Sequence, residues 1–344
     1  MARKSKKQYS GIGGQAVLEG IMMKNKDQYA VAVRKPNGRI EVKVDEYKSS
    51  TGDNKFFKLP FIRGVFNFYD SLTLGIRCLN YSASFYEDEV KEETAADKVV
   101  NKISDNHAEA VFSTITVIIS FVFAIGLFMV LPYFLADLLT KYIRNESLLA
   151  LLEALIRVVI FLVYVVSISL MKDIRRVYQY HGAEHKCINC LERGRELTIK
   201  NVKRASRLHN RCGTSFLLFV VLISAILFFF IRVDQVVLRV LLRIALIPVI
   251  AGIAYEILRL AGNSDNVIVH ILSLPGLWLQ KLTTKEPDEE MIEVAIASVE
   301  AVFDWKKYLL DSFGIDVEEN EEIYAEFHSR LAIIDNYTEE SDHE

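Results

Sequence analysis

The sequence predicts a mainly α-helical, polytopic membrane protein with about four transmembrane helices and a small cytoplasmic β-hairpin element. Hydrophobic residues make up 51% of the chain, and they are concentrated in long runs. A run of roughly 20 apolar residues is long enough to cross the hydrocarbon core of a bilayer as a helix. The first long run begins only near Ala110, too far along the chain for a signal peptide. The residues before it are therefore expected to stay in the cytoplasm.

Four apolar runs are long enough to span a bilayer, and they cover residues 110–136, 147–171, 212–231 and 236–258. The second run contains Glu153 and Arg157, and the fourth contains Arg239 and Arg243 at the same expected depth. Charges at that depth are costly unless they are paired or hydrated. We interpret them as a structural ion pair between two helices, with a substrate or proton path as the alternative.

The loop between the second and third runs is strongly basic, since residues 172–213 hold eleven Lys or Arg and four acidic residues. Loops rich in Lys and Arg stay on the cytoplasmic side. We therefore expect a multi-pass protein of the bacterial cell membrane with this loop and both termini in the cytoplasm. The expected partner is the lipid bilayer, with other membrane proteins or anionic lipid headgroups as further partners. Because this basic loop is attached to a membrane, we do not expect nucleic acid as a partner.

The regions before the first span and after the fourth are predicted to be cytoplasmic or interfacial. Strand-like alternation at 29–34 and 39–45 flanks a turn at Pro36-Asn37-Gly38 and predicts the β-hairpin. The aromatic segment 58–86 predicts an interfacial helix, and 267–282, interrupted by Pro275, is too short to cross. Gly11, Gly13 and Gly14 follow no predicted strand, so we interpret them as a tight turn instead of a phosphate-binding loop.

These features divide the chain into six regions. In order they are a cytoplasmic N-terminal region with the β-hairpin and interfacial helix (1–109), transmembrane helices one and two (110–171), a cytoplasmic metal-site loop (172–211), transmembrane helices three and four (212–258), an interfacial or cytoplasmic helical region (259–305) and an acidic C-terminal extension (306–344).

The middle loop carries the residues with the strongest chemical signal. His181 and His185 are four residues apart, so on a helix continuing out of the second span they share one face and can grip one divalent ion. Glu184 between them completes the H-x-x-E-H spacing of inverted zinc peptidases, in which the glutamate is the general base toward water at the metal. His209 and Cys212 offer a third and a fourth ligand beyond a helix predicted at 199–208.

Two other interpretations use the same loop. Cys187-x2-Cys190 followed by His209-x2-Cys212 nearly matches a structural zinc site, whose four ligands would leave no place for a catalytic water. Alternatively no metal binds, and the histidines are hydrogen-bonding residues. The spacing leaves these alternatives open. Glu256, near the inner end of the fourth span, is a candidate for an additional ligand or base.

Several blocks in order resemble the motifs of the YqhQ-like bacterial membrane proteins, a family of unknown function described at most as a predicted metal-dependent enzyme. The blocks are GGQAVLEGIMM (13–23), KLPFIRGVFNFYDSL (58–72), YHGAEHK (180–186), HNRCGTSF (209–216), AYEILR (254–259) and PGLWLQKLTTKEP (275–287), within residues 11–305. The resemblance implies His181, His185, His209 and Cys212 as the metal ligands, because the family pattern varies at Cys187 and Cys190. Asn210 stands where the family usually has proline, which removes no ligand.

The leading functional prediction is a metal-dependent hydrolase, with zinc as the expected ion and Glu184 as the catalytic base. The alternative is a non-enzymatic assembly or biogenesis factor for membrane proteins, in which zinc orders a basic docking loop. Because His181 follows the second run by about ten residues, the site is expected about 15 Å beyond the hydrocarbon edge on the cytoplasmic side. A substrate would then be presented at the membrane interface.

Overall fold

The structure is a computed structural model, and it describes residues 8–317 with the exception of 53, 87–107, 232, 234 and 264–265. Within these residues the chain is mainly helical, with a four-stranded antiparallel sheet near its N-terminus. The acidic run at 87–97 and most of the acidic extension at 306–344 lie outside the described residues.

The sheet has the sequential strand order β1 (Gly13–Val17), β2 (Gly20–Asn25), β3 (Gln28–Arg34) and β4 (Ile40–Glu46). The predicted hairpin is confirmed as β3 and β4, whose turn contains Gly38 with a positive φ of 81°. The prediction missed β1 and β2, because their glycines and methionines lack the β-branched alternation that marks a strand. Gly13 and Gly14 therefore lie in a strand, and the tight-turn interpretation fails for them.

The two central strands, β2 and β3, are buried on both faces, whereas β4 is exposed along most of its length. Met22, Val31 and Val33 lie in a hydrophobic cluster with Leu74 and Cys78 of helix α1 (Ile62–Ala83). The alternate residues of the same strands, which point to the opposite face, form a second cluster with two helices, α5 (Lys172–Leu191) and α11 (Glu289–Glu300). This double burial explains why β3 is apolar on both faces (YAVAV).

In the described part of the chain, four helical segments are long and apolar enough to cross a membrane, as the sequence predicted: Ile118–Lys141, Glu146–Ser169, Gly213–Phe230 and Val237–Ala261. The second and third are the continuous helices α4 (Glu146–Ser169) and α7 (Gly213–Phe230). The third span contacts the second and fourth, with Phe219 packing near Ala251 and Leu218 near Phe161.

The first and fourth spans are interrupted helices. The first consists of α2 (Ala108–Ile125), a π-helical turn (Gly126–Val130) and α3 (Leu131–Asp137), followed by a 3-10 turn (Leu138–Lys141). The fourth consists of α8 (Val236–Ala245) and α9 (Ile247–Asn263). A proline lies in the first turn of α3 and another in that of α9. Proline cannot donate the hydrogen bond that would continue the preceding helix, which accounts for the break in each span.

The remaining helices do not qualify as spans. Helix α1 exposes Phe68, Leu72, Ile76 and Leu79, as expected of an interfacial helix. Helix α10 (Val267–Thr283) contains Pro275, and α12 (Trp305–Phe313) ends at Gly314 in the left-handed conformation.

Two predictions about the middle loop were wrong in detail. Helix α5 is not a continuation of the second span, because α4 ends at Ser169 and Met171 has an extended backbone before α5 begins. The helix predicted at 199–208 is the short α6 (Ile199–Lys203). Beyond it the chain is held by side chains of α5 instead of by helical hydrogen bonds, since the Asn189 amide donates to the carbonyls of Ser206 and Leu208.

Candidate metal centre

The candidate centre lies where α5 meets the N-terminus of the third span. His181, Glu184 and His185 occupy neighbouring positions on α5, and Cys212 is the N-cap residue of α7. The helical spacing of i, i+3 and i+4 places the three α5 side chains on one face. Because Cys212 directly precedes the 18-residue candidate span, the centre lies at the N-terminal end of that helix, and its expected distance of about 15 Å from the hydrocarbon edge stays a prediction.

The return loop is fixed against α5 by buried polar contacts. The Gln280 side chain of α10 accepts a hydrogen bond from the His209 backbone N–H at 2.9 Å and donates one to the His209 carbonyl at 2.8 Å. The Lys186 ammonium donates to the Lys203 carbonyl at 2.8 Å. These contacts place the chain before Cys212 beside α5, so the position of the thiol depends on three separate segments.

Three side chains converge closely enough to hold one metal ion. The ligating atoms of His181, His185 and Cys212 all lie within 4.8 Å of one another. The closest pair is His181 Nε2 and Cys212 Sγ at 3.1 Å. His185 and Cys212 are buried, whereas His181 is partly exposed. The group therefore opens to its surroundings on the His181 side.

Backbone carbonyls orient both imidazoles toward the centre. His181 Nδ1 lies 3.0 Å from the Thr283 carbonyl oxygen, and His185 Nδ1 lies 2.7 Å from that of Arg207. A carbonyl can only accept, so each Nδ1 carries the proton and each Nε2 remains for the centre. Metal-binding histidines in proteins are usually oriented by such a contact from the other ring nitrogen.

The electrostatics of the group favour an anionic thiol. Burial acts to raise the pKa of Cys212, but the adjacent His181 and His185 outweigh it and hold the pKa well below the usual thiol range. Burial acts to lower the pKa of His181, and the Cys212 thiolate outweighs it, which raises this pKa to about 9. Without an ion, His181 and Cys212 thus form an imidazolium–thiolate pair, and a divalent cation can replace the shared proton.

Glu184 lies beside this group without belonging to it. Its side chain is buried at 4% exposure, and burial raises the pKa of its carboxyl group against the opposing effect of the two histidines. The carboxylate accepts a hydrogen bond from the Gly14 backbone N–H. A Cβ at Gly14 would lie 3.1 Å from Glu184 Cγ and 2.6 Å from the Met22 carbonyl, so only glycine lets β1 approach this closely. No pattern in the sequence indicated that 13–17 packs against α5.

His209 does not join the three-residue group among the described residues, although its ring lies 5.6 Å from that of His185. Its Nε2 lies 3.4 Å from a carboxylate oxygen of Glu192, which is fully buried. The predicted fourth ligand is thus placed in a neighbouring hydrogen-bonding network. The turn at 209–212 brings only Cys212 into the group.

The predicted Cys187–Cys190 site is not assembled either. Both thiols are buried and reduced, and burial raises the pKa of Cys190 to about 12 and that of Cys187 well above the usual range. Cys190 Sγ donates to the carbonyls of Arg195 and Glu196 instead. A protonated thiol is a poor ligand, since zinc binds the thiolate.

Glu256, the other acidic candidate, is engaged elsewhere. Arg63 of α1 donates to both of its carboxylate oxygens, at 2.8 and 2.5 Å, and the Phe61 backbone N–H adds a third contact at 3.2 Å. The prediction of an additional ligand or base is therefore replaced by an ion pair that joins α1 to the fourth span. The sequence predicts that Arg63 lies in an interfacial helix, but no pattern in it indicates Glu256 as the partner.

The geometry fits a tetrahedral ion with an open position. Zinc binds imidazole nitrogen at about 2.0 Å and thiolate sulfur at about 2.3 Å, so tetrahedral ligand atoms lie roughly 3.5 Å apart. The three atoms lie within 4.8 Å of one another, and the one pair at 3.1 Å, His181 Nε2 and Cys212 Sγ, is already close to that spacing. Two imidazoles and one thiolate are a donor set typical of zinc, and three protein ligands are typical of catalytic sites.

Comparison with known proteins agrees with the motifs. Residues 59–305 match the family model described as "Protein of unknown function (DUF1385)". The chain is 38% identical over 287 residues to "Uncharacterized protein YqhQ" of Bacillus subtilis (strain 168), which covers 83% of this chain and 90% of the relative. No solved structure matches the chain. Because the family model covers most of the chain and the relative matches nearly end to end, the chain belongs to the DUF1385 family of YqhQ-like proteins.

Proposed function

We propose that the chain is a metal-dependent membrane enzyme, a hydrolase that binds one zinc ion through His181, His185 and Cys212. The observation that supports this most directly is the convergence of the three ligand atoms, with both imidazoles oriented by backbone carbonyls. A group that existed only for packing would not need an anionic thiol beside two oriented histidines. His209 supports the neighbouring loop in this proposal and is not a ligand.

Zinc bound at such a site supplies Lewis acidity and makes a coordinated water easier to deprotonate. Glu184 is the residue placed to accept that proton, because its carboxylate lies next to the two histidines but outside the ligand group. The Gly14 N–H and the surrounding helix fix its orientation, and burial keeps competing water away from it. A raised carboxyl pKa is typical of a general base that works near neutral pH.

The proposed location is the cytoplasmic face of the bacterial cell membrane. The basic loop that contains α5 and α6 supports this orientation through the bias of Lys and Arg toward the cytoplasm. Arg175 and Arg204 are exposed on the loop and would attract anionic groups at the membrane surface. The substrate would therefore be presented at the interface and enter from the partly exposed side of His181.

Metal content tests the ligand assignment. The purified chain is expected to retain about one zinc per molecule, as for a single three-ligand site. His181→Ala and Cys212→Ala should each lose the ion, because two ligands do not retain zinc during purification. The matched controls are Cys187→Ala, which removes a buried thiol of the same helix as the histidines, and His209→Ala. If Cys187→Ala or His209→Ala loses the metal and His181→Ala keeps it, the site is the structural one.

Glu184→Gln tests whether the centre is catalytic. The substitution preserves size and removes the proton acceptor, so the variant should keep its zinc and its fold while losing function in cells that lack the wild-type chain. Cobalt substitution provides a spectroscopic readout, since an open fourth position gives a spectrum that responds to added anions. Full complementation by Glu184→Gln at normal expression and zinc content would rule out the hydrolase and favour the assembly factor.

A further inference from the structure

A second cluster of charged residues lies among the apolar spans, far from the metal centre. It consists of Glu153 and Arg157 of α4 and Arg243 of α8, around the ring of Phe228 near the end of α7. Phe228 lies roughly 24 Å along α7 from Cys212, at about 1.5 Å per residue. Arg157 is midway along the Glu146–Ser169 span. The cluster is therefore independent of the proposed hydrolase site.

Among the residues that the structure describes, the charges of this cluster do not balance. One Glu153 oxygen accepts from Arg157 at 2.7 Å and from Arg243 at 2.6 Å, so a single carboxylate serves two guanidinium groups. The side chains of Arg157 and Arg243 are 3% and 4% exposed. Both cations lie 4.8 Å from the centre of the Phe228 ring. A simple structural ion pair would need only one arginine, and an unpaired charge among apolar helices is unfavourable.

The interruption of the first span directs Arg157 into this cluster. Arg157 Nε donates to the Phe128 carbonyl at 3.1 Å, within the π-helical turn. Four residues after Phe128 stands Pro132, which has no N–H to occupy that carbonyl. The sequence thus leaves an acceptor open in one span and places a guanidinium of another span against it. This contact fixes the plane of the guanidinium group.

One nitrogen of the fixed guanidinium remains unused. Arg157 Nη1 is buried and has no hydrogen-bond partner among the described residues, while Nε and Nη2 of the same group are both engaged. Buried polar groups in proteins are nearly always hydrogen-bonded. An unpartnered N–H on a cation next to a second cation indicates a place for an acceptor that carries negative charge.

We propose that Arg157 and Arg243 form an intramembrane binding site for a phosphate-type oxoanion, with Arg157 Nη1 as the donor reserved for the ligand. The planar fork of guanidinium donors matches the oxygens of a phosphate group, which it binds through charge-assisted hydrogen bonds. One negative charge neutralises the excess that Glu153 leaves.

A third, partly exposed arginine lies next to this site on α8. Arg239 lies one helical turn before Arg243 on α8, is partly exposed, and stacks over Tyr133 at 4.6 Å. The opposite side of α8 exposes Val237 and Leu241 to the apolar surroundings. The phosphate can therefore be the headgroup of an anionic lipid whose acyl chains lie against α8, or free phosphate that enters past Arg239.

Binding to the full-length wild-type chain tests the proposal directly. The chain is placed in nanodiscs of phosphatidylcholine, and either inorganic phosphate or about 10 mol% phosphatidylglycerol is added. The probe that binds should raise the midpoint of thermal unfolding. If the source is lipid, native mass spectrometry should also detect one retained phosphatidylglycerol. A response to phosphate alone identifies the free anion. If neither probe binds or shifts the midpoint of the wild-type chain, the proposal is wrong.

Variants separate this site from general attraction to basic residues. Arg157→Gln should weaken binding of the active probe by about tenfold or more, in line with the loss of a charge-assisted hydrogen bond, whereas the control Arg175→Gln, at an exposed arginine of α5, should not. Equal loss in both variants would overturn the proposal. Because Arg157→Gln could fail to fold, Glu153→Gln is decisive as well. It should bind the probe more tightly, and unchanged or weaker binding would identify a purely structural ion pair.

Discussion

At the scale of single residues, the centre depends on close approaches that only particular side chains permit. Gly182, next to His181, faces the Lys285 carbonyl so closely that any Cβ would collide with it. Gly14 faces Glu184 in the same way from the sheet. The two glycines thus let the 283–287 segment and β1 approach opposite parts of α5. The glycines of these motifs therefore allow neighbouring backbone to pack closely beside the charged residues of α5.

Substitution of Gly14 tests this packing. Gly14→Ala should lower the free energy of unfolding by about 1–3 kcal/mol, the usual cost of inserting a methyl group into a filled interior, because the new Cβ meets the Met22 carbonyl at 2.6 Å. Gly13→Ala is the matched control, since a Cβ there has nothing within 4 Å. Thermal unfolding in detergent measures both. Similar midpoints for the two variants would show that the close packing around Gly14 does not require a glycine.

At the scale of elements, a buried carboxylate joins the sheet to helix α1. Asp70 of α1 is 6% exposed and accepts from Tyr47 at 2.9 Å, Ser49 at 2.7 Å and the Ser50 N–H at 3.2 Å. The sequence predicts only that Asp70 lies in the interfacial helix at 58–86. In the structure it binds the segment that leaves β4, and so connects helix α1 to the sheet.

Acid titration tests this connection. Burial acts to raise the pKa of Asp70, but hydrogen bonds from Ser50, Ser49 and Tyr47 outweigh it and hold the pKa below its ordinary 3.8. Since the folded pKa is the lower one, the stabilisation is complete above the ordinary value and is lost as the pH falls through the folded pKa. Asp70→Asn should cost about 1–3 kcal/mol at neutral pH and reduce the acid dependence of unfolding. Asp45→Asn, at a side chain 46% exposed, should change neither.

Elements defined by long periodic or apolar runs were predictable from the sequence, whereas breaks and partners were not. The four candidate spans, the β3–β4 hairpin and the existence of helix α1 follow from hydropathy and alternation. The break between α4 and α5 did not, because the backbone of Met171 leaves the helix without a proline or glycine to mark it. Strands β1 and β2 were missed because their stability comes from burial between α1 and α5, which no local pattern encodes.

The candidate site also combines features that the sequence predicts with features that it does not. The spacing of His181, Glu184 and His185 is local to one helix, so the sequence predicted that these residues share a face. Cys212 was predicted as a ligand because the loop that contains it is rich in His and Cys. In the structure its Sγ lies 3.1 Å from His181 Nε2. The choice between Cys212 and His209 depends on the turn at 209–212 and on Gln280, which lies in another helix. That contact is set by tertiary packing and cannot be obtained from the spacing of the loop.

At the scale of the whole molecule, the third span connects the two polar centres. Its N-cap residue Cys212 belongs to the candidate metal group. Near its other end, the ring of Phe228 lies against the two buried arginines. The span contacts both neighbouring spans and α10 along its length. The proposed metal ion and the proposed oxoanion would therefore lie near opposite ends of one helix.

The orientation of the chain decides which of these centres faces the cytoplasm. If the basic loop is cytoplasmic, as its Lys and Arg content predicts, a cysteine at Arg195 is protected from an impermeant thiol reagent in intact cells, and one at Arg144 is labelled. Both positions are exposed in loops at opposite ends of α4 and α5, and Arg144 is preferable to Asn145 because the Asn145 side chain caps α4. The natural cysteines 78, 187, 190 and 212 are all buried, so the unmodified chain provides a low background. Permeabilised cells, in which both variants should react, control for accessibility. Labelling of Arg195→Cys but not Arg144→Cys in intact cells would place the metal group outside and exclude a reducing environment for its thiolate.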